Sequence, residues 1–287
     1  MGAISHVGVW RAWLKCSIPA AMTLTESSTD EAICRRRGAI GHITLNRPQA
    51  LNALTLNMVR AISAALDAWE PDPAIKAVVV EGAGDRAFCA GGDIRLLWEQ
   101  GTAGDHKSQL DFWRDEYVLN VRIKRYPKPY VALIDGIVMG GGVGVSVHGS
   151  HRIAGDGFAF AMPEVGIGFF PDVGATWFLP RLAGKTGTYL GLTGARAKAG
   201  DAVALGLAEA HVSRAKIPDF VAALEAGEDV EAAVARFRSA AAPGPIVQNR
   251  AAIDAAFSGD SVGDILARLA ADGSDFAKEA AKAMGQK

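Results

Sequence analysis

Two glycine-rich turns carry the residues whose types and spacing could do chemistry. They are Phe88-Cys89-Ala90-Gly91-Gly92-Asp93 and Met139-Gly140-Gly141-Gly142-Val143-Gly144, and each follows an apolar run typical of a buried strand. Glycine lets a backbone approach a ligand closely, and the start of a helix leaves N–H groups without intrahelical partners. Two such turns aimed at one point would offer two N–H donors to one oxygen atom. The pattern therefore indicates an oxyanion hole for chemistry on a carbonyl.

The spacing of these glycines leaves a simpler interpretation open, because glycine clusters also mark tight turns and close packing. Three other ligand-binding motifs do not fit. No G-x-G-x-x-G runs through residues 140–149, no Gly-Lys-Ser/Thr directly follows either turn, and a nucleophile elbow centred on Ser146 would need glycine where His148 stands. The turns thus predict neither a dinucleotide site, nor a phosphate loop, nor a serine hydrolase.

The chain resembles the crotonase (enoyl-CoA hydratase/isomerase) superfamily from about Ala39 to about Phe257. The resemblance rests on the two glycine turns together with Ile43-Thr44-Leu45-Asn46-Arg47-Pro48 and Leu51-Asn52-Ala53-Leu54. Within that superfamily the chain is most similar to the 3-hydroxyisobutyryl-CoA hydrolase branch. The strings that carry this finer resemblance are Glu116-Tyr117, Lys128-Pro129-Tyr130, Met162-Pro163-Glu164, Gly168-Phe169-Phe170-Pro171-Asp172-Val173-Gly174 and Leu192-Thr193-Gly194.

The resemblance implies roles for five residues. Gly92 and Gly141 match the oxyanion-hole positions, Glu164 matches the active-site acid or base, Asp172 takes a substrate-side catalytic role, and Glu116 lines the substrate pocket near a 3-hydroxyl group. From the residues alone, Glu164 could be a surface glutamate, Asp172 a helix cap and Glu116 a solvated helix residue. Two carboxylates near one carbonyl would push their pKa values apart, so that one acts as base or nucleophile while the other holds a proton.

The chain departs from the resemblance at two points. Hydratases of the superfamily carry a second glutamate where this chain has Gly144, and glycine cannot transfer protons. This difference argues against hydration and favours thioester hydrolysis or double-bond isomerisation. The hydrolase branch also normally continues beyond the position of Gln286-Lys287, with further helices that wall the acyl-CoA pocket. We therefore expect a shortened helical region and an incomplete pocket.

Composition excludes several other classes of function. The chain has 287 residues, a net charge of −1, 49% hydrophobic residues and three cysteines, Cys16, Cys34 and Cys89. A near-neutral chain gives no electrostatic reason to expect nucleic acid or an anionic membrane surface, and sparse cysteines indicate a reducing compartment. We predict no metal site, no membrane span and no cofactor apart from the coenzyme A of the substrate. Residues 1–21 could be a transit peptide to the mitochondrial matrix, but a plain extension and a cytoplasmic location are favoured.

Helical and strand periodicities alternate along the chain, which predicts an α/β fold. Residues 55–69 are predicted to be an amphipathic helix, residues 106–125 a long helix, and the chain from Pro171 onward helical. The resemblance implies a crotonase-type ββα spiral followed by a helical region. We divide the chain into a poorly ordered extension (1–30), a core with the active site (31–215) and a truncated helical region (216–287).

These observations together predict an enzyme, an acyl-CoA thioester hydrolase that acts on 3-hydroxyisobutyryl-CoA in valine breakdown. An enoyl-CoA isomerase or hydratase is the alternative within the superfamily. A non-catalytic acyl-CoA-binding or assembly subunit is the alternative of another class. The resemblance also implies that the chain forms a trimer or a hexamer, and the sequence does not decide whether Glu164 is a nucleophile or a general base.

Overall fold

The computed structural model describes residues 29–285, so the predicted extension lies almost entirely outside the described residues. Ten strands and thirteen α-helices follow one another in the described part of the chain. The strands are β1 (Ala32–Arg37), β2 (Ile40–Leu45), β3 (Ala77–Gly82), β4 (Ala87–Cys89), β5 (Tyr130–Ile134), β6 (Ile137–Met139), β7 (His151–Ala154), β8 (Ala159–Ala161), β9 (Ala197–Lys198) and β10 (Ala210–His211). The helices are α1 (Leu56–Trp69), α2 (Ile94–Thr102), α3 (His106–Lys124), α4 (Gly141–Gly144), α5 (Ala175–Phe178), α6 (Thr186–Thr193), α7 (Ala199–Leu205), α8 (Ile217–Glu225), α9 (Val230–Phe237), α10 (Pro245–Gln248), α11 (Arg250–Ala256), α12 (Val262–Asp272) and α13 (Asp275–Gly285).

Two sheets form the centre of the fold. The larger sheet has the strand order β1-β2-β3-β5-β7-β10 and is parallel except for the pairing of β1 with β2. The smaller sheet has the order β4-β6-β8-β9, in which β4, β6 and β8 are parallel neighbours. Successive units place one strand in each sheet, first β3 and β4, then β5 and β6, then β7 and β8. This repeated passage between sheets confirms the predicted α/β spiral.

Helix α1 shows how local sequence sets the elements around the sheets. Its buried positions recur with helical spacing, and the Thr55 hydroxyl caps its first turn by accepting a hydrogen bond from the Met58 N–H at 3.2 Å. The prediction of a helix over residues 55–69 is confirmed, with Thr55 as the N-cap and the helix itself beginning at Leu56. The long predicted helix is also present, as α3 from His106 to Lys124.

The chain from Ile217 to Gly285 consists of helices and their connections. Helices α11 and α13 pack on α6, where the Tyr189 ring contacts Phe257 at 5.2 Å and Phe276 at 5.7 Å between ring centroids. Buried residues of these helices, such as Ile253, belong to the same hydrophobic cluster as Val80 of β3. The helical region and the spiral therefore share one core.

The prediction that the chain is helical from Pro171 onward was wrong at β9 and β10. Ala197 and Lys198 pair antiparallel with β8, and Ala210 and His211 pair parallel with β7. Each strand contains only two residues, which is too short for an alternating pattern to stand out in a sequence. The open edge of each sheet supplies their hydrogen-bond partners.

Asn52 ties the loop before α1 to the chain around the first glycine turn. The residue is fully buried at φ +57°, and its side chain accepts from the Arg47 N–H at 2.9 Å and donates to the carbonyl groups of Ala83 at 2.9 Å and Ala87 at 2.8 Å. Asparagine tolerates this left-handed conformation better than other side chains that could fill the site. Both the oxygen and the nitrogen of this buried side-chain amide therefore have hydrogen-bond partners.

We predict that Asn52→Ala lowers the free energy of unfolding by about 3 kcal/mol, because it leaves buried polar groups unpaired and puts alanine in a left-handed conformation. Urea denaturation of the purified variant measures the change. Asn57→Ala is the matched control, since Asn57 is exposed on α1 and its loss should change stability by less than about 0.5 kcal/mol. Equal stability of the two variants would contradict the prediction.

Candidate active site

Three neighbouring parallel strands deliver the residues of the site to one edge of the smaller sheet. Gly92 follows the end of β4, Gly141 follows the end of β6, and Glu164 follows the end of β8. Neighbouring strands lie about 4.8 Å apart, and the carboxyl ends of parallel strands meet at the same edge. The strand order β4-β6-β8 therefore brings these three residues together although they are far apart in the sequence.

Each glycine turn contains a backbone conformation that only glycine adopts readily. Gly91 has φ +120° and Gly140 has φ +46°, and each directs the chain so that the following residue faces a common cavity. A Cβ atom built on Gly141 would lie 3.2 Å from the Gly92 nitrogen, so the two turns are in close contact. Within residues 29–285, neither the Gly92 N–H nor the Gly141 N–H donates a hydrogen bond to a protein group. Both amides are thus available to a ligand.

The cavity between the two turns has a volume of about 510 Å³. All five residues that the sequence singled out line it: Gly92, Glu116, Gly141, Glu164 and Asp172. Its other walls are mostly apolar and include Leu97, Phe112, Trp113, Ile167 and Phe169. The described residues that line it include no lysine, arginine or histidine, so backbone N–H groups are the means by which this wall could stabilise negative charge.

Glu164 begins a short 3₁₀ turn directly after Met162-Pro163 and is only 7% exposed. Its Oε1 would lie 3.2 Å from a Cβ atom on Gly140, so the carboxyl group faces the second glycine turn. Its Oε2 is buried and has no hydrogen-bond partner among the described residues. The pKa of Glu164 is raised to about 7: burial raises it most, the residue's own backbone N–H opposes the rise, and the negative charge of Asp172 adds to it. The group can change its protonation state near neutral pH.

Glu116 lies on α3 and is 2% exposed, which is uncommon for a helical glutamate. Its Oε1 would lie 2.3 Å from a Cβ atom on Gly141, so the carboxyl group stands directly beside the second turn and leaves no room for a side chain there. Burial and, to a smaller extent, the charge of Asp172 raise the pKa of Glu116 to about 8. The interpretation of Glu116 as a solvated residue does not hold.

Asp172 faces the cavity from the turn that precedes α5. The Tyr117 hydroxyl donates a hydrogen bond to its Oδ2 at 2.6 Å. Burial raises the pKa of Asp172 above its ordinary value, and the hydrogen bond from Tyr117 opposes that rise. The N-cap of α5 is Gly174, without a side-chain hydrogen bond, so the carboxylate does not cap this helix.

The turn that carries Asp172 continues in a strained conformation. Val173 has φ +42°, a value that a β-branched residue rarely adopts and that costs roughly 1–3 kcal/mol. Its carbonyl oxygen lies 2.7 Å from His148 Nε2. Strain of this kind persists where the surrounding structure enforces it, and here it adjoins a carboxylate of the site.

Asn120 fills the space beside Gly144. A Cβ atom on Gly144 would lie 2.8 Å from Asn120 Oδ1 and 2.9 Å from its Nδ2, so a side chain at this position would collide with the amide. When the amide is oriented to satisfy its surroundings, its nitrogen donates to the carbonyl oxygens of Gly144 at 3.0 Å and Glu116 at 3.3 Å. The packing of α3 on α4 therefore leaves no room for a second carboxylate side chain at Gly144.

Four residues that shape the site were missed by sequence reasoning: Tyr117, Asn120, His148 and Val173. One usable signal was the run Pro171-Asp172-Val173-Gly174, in which a β-branched residue stands inside a turn. Tyr117 and His148 are far from Asp172 in the chain, and Asn120 is far from Gly144. Only the packing of α3 and of the segment after α4 against the turn reveals their contacts.

Neither a metal centre nor a membrane-spanning helix is found in the part of the chain that the structure describes. No three His, Cys, Asp or Glu side chains among residues 29–285 are grouped so that they could hold a metal ion. No helix in this range combines the length and apolar character that crossing a membrane requires. Cys34 and Cys89 are buried free thiols, and burial raises the pKa of each to about 12.

Comparison with known proteins places this architecture in a family. Residues 40–287 match the family model described as enoyl-CoA hydratase/isomerase. A Xenopus tropicalis protein named mitochondrial 3-hydroxyisobutyryl-CoA hydrolase is 49% identical over 86% of this chain and 66% of its own length. A rat protein of the same name is 46% identical over 91% of this chain and 70% of its own length. The chain thus spans about two thirds of the length of these relatives.

Solved structures agree with this assignment. A carnitinyl-CoA dehydratase from Mycobacterium thermoresistibile superposes with a TM-score of 0.86 at 44% identity, over 90% of this chain and 76% of that protein. An enoyl-CoA hydratase from Rhodobacter sphaeroides superposes with a TM-score of 0.84 at 46% identity, over 90% of this chain and 74% of that protein. The resemblance found in the sequence is confirmed: the chain belongs to the enoyl-CoA hydratase/isomerase family.

Proposed function

We propose that this chain is an acyl-CoA thioester hydrolase whose substrate is 3-hydroxyisobutyryl-CoA, an intermediate of valine breakdown. One observation carries the proposal: within the described residues, two unpartnered backbone amides, two buried glutamates and the partly buried Asp172 line a single, otherwise largely apolar cavity. Relatives that are 45–49% identical and named 3-hydroxyisobutyryl-CoA hydrolase support a hydrolase function and this acyl group.

In the proposed reaction the thioester oxygen accepts hydrogen bonds from the N–H groups of Gly92 and Gly141. As the carbonyl carbon becomes tetrahedral, negative charge develops on this oxygen, and each amide is worth about 3 kcal/mol of barrier lowering. The contact between the two turns supports their action on one oxygen. The C–S bond then breaks, and the coenzyme A thiolate takes up a proton.

Glu164 is proposed to supply the oxygen nucleophile, either by attacking the carbonyl carbon itself or by removing a proton from an attacking water. Both routes need the ionised carboxylate and both end with one water consumed per thioester. Asp172 assists proton transfer to or from the reacting groups, held by its hydrogen bond from Tyr117. Glu116, protonated up to about pH 8, is placed to contact the 3-hydroxyl group of the substrate.

The alternative function is hydration of an enoyl-CoA, because the two solved structures are named a dehydratase and a hydratase. Gly144 and Asn120 argue against it. A second proton-transfer group cannot stand at Gly144 without displacing the amide that fills the space. The non-catalytic alternative is weakened by the buried carboxyl groups with raised pKa values, since such groups are costly to a fold and cluster at functional sites.

The remaining parts of the proposal concern cofactor, assembly and compartment. Backbone amides and carboxylates suffice for hydrolysis, so we propose no cofactor beyond the coenzyme A of the substrate. A homotrimer or hexamer stays a prediction. The names of the relatives include the word mitochondrial, which supports the matrix over the cytoplasmic location that the sequence favoured.

A panel of three thioesters separates the candidate functions. We expect thiol release from 3-hydroxyisobutyryl-CoA and 3-hydroxypropionyl-CoA, and hydration of crotonyl-CoA at least about 10²-fold slower, because one proton-transfer group is missing. A thiol reagent measures the first reaction, and loss of the enoyl absorbance measures the second. Efficient formation of 3-hydroxybutyryl-CoA would overturn the hydrolase proposal, and binding without turnover of any thioester would favour the non-catalytic subunit.

Replacement of Glu164 tests its assigned role. Glu164→Gln keeps the shape of the side chain but removes the charge, so kcat should fall at least about 10²-fold with little change in fold. Steady-state thiol release and circular dichroism measure the two effects. Glu99→Gln, at an exposed glutamate of α2 outside the cavity, is the matched control and should leave kcat within about twofold. Unchanged turnover in folded Glu164→Gln would end the assignment.

The pH dependence of hydrolysis follows from the raised pKa of Glu164. Because the pKa is about 7 rather than the 4.5 that is ordinary for a glutamate, the inactive protonated form persists to neutral pH. We therefore expect kcat/KM to rise about tenfold per pH unit up to roughly pH 7 and to level off above it. Asp172→Asn should lower the apparent pKa of the residual activity, since the charge that raises it is gone. A profile without slope between pH 5 and 7 would contradict this prediction.

A further inference from the structure

The turn that carries Asp172 has a strained backbone conformation, which is unfavourable without contacts from the surrounding structure. Val173 and Gly174 have consecutive positive φ angles, +42° and +83°. Glycine tolerates such a value, but a β-branched residue does so rarely, and Val173 is 3% exposed. An interaction from outside the turn must therefore maintain it.

His148 supplies that interaction. Its Nε2 lies 2.7 Å from the Val173 carbonyl oxygen, and because a carbonyl can only accept, Nε2 donates. A Cβ atom on Gly174 would lie 2.8 Å from His148 Cε1, so the ring lies against the turn itself. The ring of Phe178 meets the imidazole edge-on, with 6.4 Å between centroids. Burial lowers the pKa of His148, so the neutral ring with its proton on Nε2 is the form that holds the turn.

The position of His148 in the chain gives this contact its significance. The residue follows α4, whose first residue is Gly141. A single hydrogen bond thus connects the segment that carries one oxyanion-hole amide to the turn that carries Asp172. His148 does not line the cavity, so it would not touch the substrate.

We propose that His148 is a positioning residue, which holds the strained Val173 carbonyl and thereby fixes the Asp172 carboxylate opposite the amide of Gly141. This inference rests on the proposed function of the site. Tyr117 secures the carboxylate end of Asp172, and His148 secures its backbone end. Without the donor at His148, Val173 relaxes toward negative φ and carries Asp172 out of line with the thioester.

A pair of similar substitutions tests the proposal. The amide nitrogen of Gln can reach the place of the imidazole Nε2, whereas that of Asn falls short. We expect His148→Asn to lower kcat about 10-fold or more with KM within about threefold, and His148→Gln to keep kcat within about threefold of wild type. Wild-type kcat in the Asn variant, or an equal loss in both, would overturn the proposal. A tenfold loss of kcat in a folded His148→Gln variant would by itself also overturn the proposal.

The matched control is His151→Asn, at a buried histidine whose Nε2 lies 2.9 Å from Glu231 Oε1, away from the cavity. His151→Asn should lower Tm without changing kcat. If His148 had only a structural role, His148→Asn would have the same effect. Crystal structures of both His148 variants give a readout that does not depend on activity. The contact between Tyr117 and Asp172 should open in the Asn variant and persist in the Gln variant. If the wild type releases no thiol, the proposed function fails, while these structures still decide the role of His148.

Discussion

Two backbone N–H groups that have no protein partner within residues 29–285 face the same small volume, and the surrounding structure serves this constraint. Strands β4 and β6 are neighbours in a parallel pair, so their carboxyl ends lie side by side. The positive φ angles of Gly91 and Gly140 then direct the next residues toward the cavity. Unpaired amides inside a protein are costly, and a fold tolerates them where a ligand completes their hydrogen bonds.

The carboxyl groups around these amides impose a second constraint. Glu116, Glu164 and Asp172 share a cavity that, within the described residues, no cationic side chain lines. Burial raises the pKa of all three, and the charge of Asp172 raises the pKa of the two glutamates further. The three groups therefore titrate together, and ionisation of one disfavours ionisation of the others. In the proposed reaction, the surroundings of each carboxyl group decide which one acts as the base and which one carries a proton, because the residue types alone are nearly alike.

The sequence predicted the parts of this arrangement that depend on local pattern or on motif strings. The glycine turns, the helices α1 and α3 and the family were accessible, since each rests on consecutive residues or on helical periodicity. The strands β4, β6 and β8 have only three residues each, too few to show an alternation, although they set the geometry of the site. The contacts from Tyr117 to Asp172 and from His148 to Val173 join residues 55 and 25 positions apart. No periodicity links such pairs, and only the folded chain reveals them.

Gly144 illustrates why one fold can support different reactions within a family. The strand ends fix where the amides and the carboxylate after β8 stand, and this geometry is common to any chain that folds in the same way. Gly144 on α4 is coupled to α3 through Asn120, whose amide oxygen would lie 2.8 Å from an added Cβ atom. A change of chemistry at Gly144 therefore requires a compensating change at Asn120. In the proposed function, reaction type depends on this pair of facing helices, while carbonyl activation depends on the sheet beneath them.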